Sequence, residues 1–216
     1  MPCAICETRR EKRFCPAVHG RICPQCCGEQ RETTLDCPSE CVYLQQAREH
    51  EKPRSLEDLD RSALFPQVEI DRQFLHERDQ LIAGLSFLLR DSVQADRSLR
   101  DSDLISTLSA LAKTYETLSN SGLHLEAPLT NLAHQAIASK VQKMIEEYRM
   151  VEEKQIGYTR LRDSDVFRTL VFLLRAAISH TSGRPRSRGF VDFLLARFPE
   201  KPSGVASGEQ NSILLA

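Results

Sequence analysis

The chain has 216 residues, enough for one domain of ordinary size plus a small module, and 41% of them are apolar, enough for a packed core despite sparse aromatics and no Trp. With 29 basic and 30 acidic residues the formal net charge is -1, which argues against bulk attraction to nucleic acid or an anionic membrane and leaves only local patches to consider. The densest apolar stretches, LIAGLSFLL (81–89) and LVFLLRAAI (170–178), are too short to span a bilayer, and MPCAICETRREKR has no apolar region ahead of its charges, so the expectation is a soluble, cytoplasmic protein with no membrane partner.

All eight cysteines lie between Cys3 and Cys41, and none follows. In a reducing cytosol such clustering favours metal over disulfides. The same segment has few large apolar side chains: Ile5, Phe14, Val18, Ile22, Leu35, Val42, Tyr43 and Leu44. A stretch this small cannot bury enough surface to fold unaided, so residues 1–52 are expected to be a cysteine-rich module held by zinc.

Zinc takes four tetrahedral ligands, and eight thiols suffice for two four-cysteine sites. Two Cys-x2-Cys knuckles, Cys3 with Cys6 and Cys23 with Cys26, would make the first. Cys15, Cys27, Cys37 and Cys41 would make the second. Adjacent side chains on extended backbone point apart, so Cys26 and Cys27 would face different ions and clasp the sites together. Gly28 suits a sharp turn after them, and Pro38 suits the first position of a helix between Cys37 and Cys41. The ligand set is not unique. His19, four positions after Cys15, could replace Cys27, and His50 is a weaker substitute.

Two other chemistries fit worse. A redox Cys-x-x-Cys needs a thioredoxin-like context that these polar flanks do not provide, and a disulfide framework needs export. Arg9, Arg10, Lys12, Arg13 and Arg21 could offset the charge of a four-thiolate zinc site or present a basic face to phosphates. Glu7, Glu11, Glu29 and Glu32 dilute that patch and stacking aromatics are few, which favours the first role.

Residues 53–66, punctuated by Pro53 and Pro66, read as a linker. Beyond it the periodicity is helical throughout and predicts an all-helical bundle of about five helices over 67–200. Ile70, Phe74, Leu81, Leu85 and Leu88 mark the first stripe. Leu104, Leu108, Leu111, Tyr115 and Leu118 mark a second, ending at Asn120-Ser121-Gly122. A third starts at Pro128 and runs through Leu132, Ile137, Val141, Met144, Tyr148 and Val151. Val166 to Ile178 is apolar on nearly every side, which predicts a central helix. GRPRSR (183–188) breaks it, FVDFLLARF (190–198) makes a short last helix, and 201–216 reads as a disordered tail. LRDSDLISTL (99–108) is echoed by LRDSDVFRTL (161–170), a pattern predicting an Asp or Ser N-cap with another acid in the first turn. A duplicated helical hairpin would also produce it.

The string CP…CCG…R…CPSECVYL, followed by helices carrying TYETL…GLHLE (114–126), resembles an uncharacterised family of bacterial proteins over most of the chain up to about residue 155. The resemblance implies a zinc-binding head on a helical body and supplies no activity. More distantly, the interleaved pairs look like cross-brace fingers of the HIT-type and RING kinds, which are mainly protein-interaction devices. The last pair, Cys37-x3-Cys41, departs from their Cys-x2-Cys spacing.

The sequence contains no His-Glu-x-x-His, no Glu-x-x-His pair and no Gly-rich phosphate loop. His76, His124 and His134 stand alone on or beside amphipathic helices, where histidine is usually a surface or core-edge residue. No catalytic role is expected. Two functions remain: a protein-interaction adaptor with a protein partner, and a nucleic-acid-associated regulator whose basic head and GRPRSR touch phosphates.

Overall fold

The computed structural model describes residues 1–50 and 64–199. Most of the expected linker and the whole of the tail, 201–216, lie outside the described residues.

The head begins with a small antiparallel hairpin, β1 (Arg13–Cys15) and β2 (Gly20–Ile22), in which Phe14 pairs with Arg21. Helix α1 (Pro24–Gln30) follows, with Cys23 as its N-cap and Pro24 in its first turn, where a missing N–H costs nothing. Helix α2 (Val42–His50) closes the head, tied to β1 by the Arg13 guanidinium 4.6 Å from the centre of the Tyr43 ring.

The body is helical: α3 (Arg72–Glu77), α4 (Asp79–Ala95), α5 (Asp101–Ser121), α6 (Leu132–Ile156), α7 (Asp163–His180) and α8 (Gly189–Arg197). The protein is therefore mainly α, a cysteine-bearing head followed by helices, with six rather than five helices among the described body residues. The difference arises at Arg78, where the first stripe divides into α3 and α4 because this residue leaves helical geometry (φ -115°, ψ 17°). Asp71 starts α3 by accepting the Phe74 N–H at 2.7 Å. Helix α6 starts at Leu132 rather than Pro128, because Asn131 is its cap and accepts the Ala133 N–H at 2.8 Å. Its last turns run past the core, leaving Val151 exposed although it continues the apolar stripe.

The central helix is α7, which packs most extensively on α5 and also on α4 and α8. Its Val166, Leu170, Val171, Leu174 and Ala177 are fully buried. Leu64 and Phe65, at the end of the stretch expected to be linker, are buried in the same core. They are held there by Arg175, whose guanidinium donates to the carbonyls of Leu64 (2.9 Å), Phe65 (2.6 Å) and Val68 (3.0 Å). No helix among the described residues is long and apolar enough to cross a membrane.

The echoed strings start α5 and α7 in the same way, though not with the expected caps. The N-caps are Arg100 and Arg162. Asp103 and Asp165, three residues on, reach back to accept the Arg100 and Arg162 N–H groups at 2.8 and 3.4 Å. The buried Thr107 and Thr169 hydroxyls then donate to the carbonyls of those same aspartates at 2.8 and 2.9 Å. In both helices the carboxylate thus satisfies the N–H of the cap residue itself, one half of a capping box.

Candidate metal centre

Of the head's apolar side chains, Phe14, Val18 and Val42 are exposed and only Ile22, Leu35 and Leu44 are buried. The cluster around Ile22 and Leu35 consists otherwise mainly of cysteines: Cys3, Cys15, Cys23, Cys26 and Cys27 are all buried in it. Thiols occupy the place of a hydrocarbon core, as expected where metal bonds replace apolar burial.

Cys3, Cys6, Cys23 and Cys26 bring their sulfurs within 4.8 Å of one another. Four thiolates at the ~2.3 Å zinc–sulfur distance stand about 3.8 Å apart at the corners of a tetrahedron, so a small contraction would close the site. The two knuckles supply matching halves. In the first, the Ile5 N–H faces the Cys3 sulfur at 3.5 Å, while the Glu7 N–H returns to the Cys3 carbonyl at 2.9 Å. In the second, the Cys26 N–H donates to the Cys23 sulfur at 3.4 Å, using the helix cap as a ligand turn. The Cys23 N–H donates to the Cys3 sulfur at 3.1 Å and joins the halves.

These donors suit thiolates. Hydrogen bonds from the Thr8 hydroxyl, the Arg9 N–H and the Arg9 guanidinium bring the Cys6 thiol down to about 5. Burial pushes the Cys3 thiol up, yet N–H groups of Cys6, Cys23 and Ile5 outweigh it and the net direction is down. Burial pushes the Cys26 thiol up to about 12, helped by the neighbouring cysteines. Crowding thus works against ionising all four thiols together, a cost that a bound divalent cation would offset. The Arg9 guanidinium lies 3.7 Å from the Cys26 sulfur and supplies positive charge against the sulfur set. All four potential ligands are protein thiols.

The structure does not bring Cys15, Cys27, Cys37 and Cys41 together to the same degree, and the first set is the only such group among the described residues. Cys15 ends β1, Cys27 lies on α1, and Cys37 and Cys41 flank the turn before α2. Cys15 and Cys41 nevertheless lie close to Cys37. Burial raises the Cys37 thiol, opposed by a hydrogen bond from the Glu32 backbone and reinforced by Cys41 and Cys15. His19 is exposed on the β1–β2 turn at φ 50°, and His50 is exposed at the end of α2; neither joins a ligand group.

Three local expectations are corrected. Cys26 and Cys27 diverge on helical backbone rather than extended backbone, since both lie within α1. Gly28 makes no sharp turn; it continues that helix with open space where a Cβ would stand. Pro38 does not start a helix: its carbonyl accepts the Cys41 N–H at 3.0 Å in a tight turn, and α2 begins afterwards.

Of the histidines, His76 and His124 are exposed, and His134 Nε2 sits 2.9 Å from Asp103 Oδ1, tying the starts of α6 and α5. Sequence reasoning missed Thr8 and the particular role of Arg9, for which only the crowd of basic residues was a signal. It also missed Glu32 as more than a diluting charge. No protein-family model, no curated protein and no solved structure matches the chain.

Proposed function

We propose that the chain is a non-enzymatic zinc-binding adaptor whose head is folded by structural zinc and whose helical body engages a protein partner. The convergence of the Cys3, Cys6, Cys23 and Cys26 sulfurs within 4.8 Å carries this reading. Zinc suits the donor set because four thiolates in closed tetrahedral array are its usual structural environment. A second zinc on Cys15, Cys27, Cys37 and Cys41 completes the proposal, supported by the proximity of Cys37 to Cys41 and Cys15.

Purified protein is then expected to carry two zinc ions per chain by elemental analysis, and Cys27→Ser and Cys26→Ser to retain about one each. One zinc or none in the wild type, with every cysteine reduced, overturns the two-site proposal. If His19 is the ligand instead of Cys27, His19→Ala loses an ion and Cys27→Ser keeps both.

The body contributes exposed apolar side chains around the α5–α6 connection, Leu123, Leu125 and Leu132. They support a protein partner, since apolar clusters rimmed by polar groups mark interaction surfaces. Replacing Leu123 and Leu125 by Ser is expected to abolish capture of the wild-type protein's partner from lysate without altering the circular dichroism spectrum. The nucleic-acid alternative has less behind it. Arg21 pairs with Glu11 at 3.3 Å, Arg9 faces the thiols, and Arg184 of GRPRSR donates to main-chain carbonyls. Random DNA or RNA binding with a steep salt slope would favour that alternative.

A further inference from the structure

The head meets the body at the loop joining α7 to α8 and at the first turn of α8, with a separate ion pair from Asp36 to Arg100 at the start of α5 (2.8 Å). The carbonyls of Gly28 and Arg31, at the end of the helix bearing Cys26 and Cys27, accept from Arg184 at 3.2 and 2.7 Å. Ser39, between Cys37 and Cys41, donates to Asp192 at 2.7 Å.

Glu32 is the centre of the joint. It is 2% exposed, and its φ of 50° lies in the left-handed region that side chains other than glycine seldom adopt. One carboxylate oxygen accepts from Arg48 at 2.9 Å and the other from Ser182 at 2.8 Å. Its carbonyl accepts the Arg186 N–H at 2.8 Å, and its own backbone lies beside the Cys37 thiol. Arg48 extends the network to Asp192 at 2.7 Å. A turn in this conformation is held by its partners rather than by its own preference, and those partners are Arg48 and the Cys37 thiol within the head and Ser182 and Arg186 of the body.

We propose that metal loading of the head and docking of the head on the α7–α8 loop form one coupled equilibrium, with Glu32 as the link. The proposal rests on the zinc reading above. A bound ion holds α1 and the Cys37–Cys41 turn, which hold Glu32, Gly28 and Ser39 in register with Ser182, Arg184, Arg186 and Asp192. Loss of the ion releases that register and uncovers residues 182–186. Linkage makes the effect reciprocal: weakening the body's side of the joint must weaken the hold on zinc by the same factor.

The test uses the full chain, with zinc content measured in every sample. Chelation is expected to speed hydrogen exchange of the peptide spanning 182–190 by roughly 5- to 100-fold, while peptides from α5 and α7 stay protected. Asp192→Ala alters a body residue remote in sequence from every cysteine. It is expected to keep full zinc content when zinc is in excess and to hold zinc roughly 5- to 100-fold more weakly than wild type at equilibrium with a competing chromogenic chelator. Glu32→Gln is expected to do the same. Zinc removed with no change in exchange at 182–190, or wild-type zinc affinity in Asp192→Ala with its fold intact, overturns the coupling and leaves the zinc reading standing. A chain that takes up no zinc overturns both.

Discussion

Asp101 and Asp163 occupy the same place in the echoed strings and do different things. Asp101 is fully buried; its carboxylate accepts the N–H groups of Phe190 and Val191 at 3.1 and 3.0 Å and the Ser187 hydroxyl at 2.7 Å. It therefore caps α8 from another helix. Asp163 pairs with Arg149 at 2.6 Å with 36% of its side chain exposed. Asp101→Ala leaves several buried donors without an acceptor and is expected to cost about 3 kcal/mol in denaturant unfolding. Asp163→Ala is expected to cost less than about 1 kcal/mol, as an exposed pair would. Equal losses would show that the cap carries no special weight. The string announces a helix start at both positions, but cannot tell which aspartate meets a second helix. Cysteine spacing was legible for a similar local reason: each Cys-x2-Cys pair is half of a tetrahedral site by itself, and the fold brought the two such halves together.

Helices were readable where periodicity and stop signals agree, as in α5, whose last turn ends at Gly122 with φ 69°. They were misread where a side chain beyond the period decides, as Asn131 does for α6. Glycines show the same division. A Cβ at Gly189 would collide with the His180 carbonyl oxygen and approach Thr181 Cα at 3.7 Å, both main-chain atoms that cannot swing aside. Gly189→Ala is expected to destabilise by about 3 kcal/mol and lower the thermal midpoint. Gly28 lies inside α1 with nothing near its Cβ position, so Gly28→Ala is expected to be neutral or to stabilise the head by about 0.5–1 kcal/mol. Destabilisation there would mean that a turn, not helix, is needed after the doubled cysteine.

Head and body are held by different physics. The body's core contains no cysteine, whereas the head's buried cluster is mostly sulfur. On the proposed zinc reading, chelation is therefore expected to unfold the head while most of the helical circular dichroism signal survives. Near-complete loss of helicity would show that both parts depend on the metal. The boundary is testable too. Leu64 and Phe65 are 5% and 4% exposed in the body's core, and the buried face of Phe65 meets Phe167 edge-on at 5.4 Å. A fragment beginning at Gln67 is expected to be less stable than one beginning at Leu64 by about 4 kcal/mol, the scale of burying those two side chains.

The amino-acid sequence by itself determined the mainly helical class, the concentration of chemistry in the first fifty residues, and the two Cys-x2-Cys knuckles of the converged site. Each follows from short-range spacing, which is a property of the chain before it folds. Only the tertiary structure decided what depends on distant segments meeting. It placed Arg9 against the Cys6 and Cys26 sulfurs, drew Leu64 and Phe65 out of the expected linker into the core, and set Asp101 at the start of α8. It also put Glu32, a surface charge by any local reading, at 2% exposure between Arg48 and Ser182. A carboxylate is tolerated there because both oxygens find donors, and one of those donors, Ser182, comes from the far end of the chain, where no local pattern could announce it.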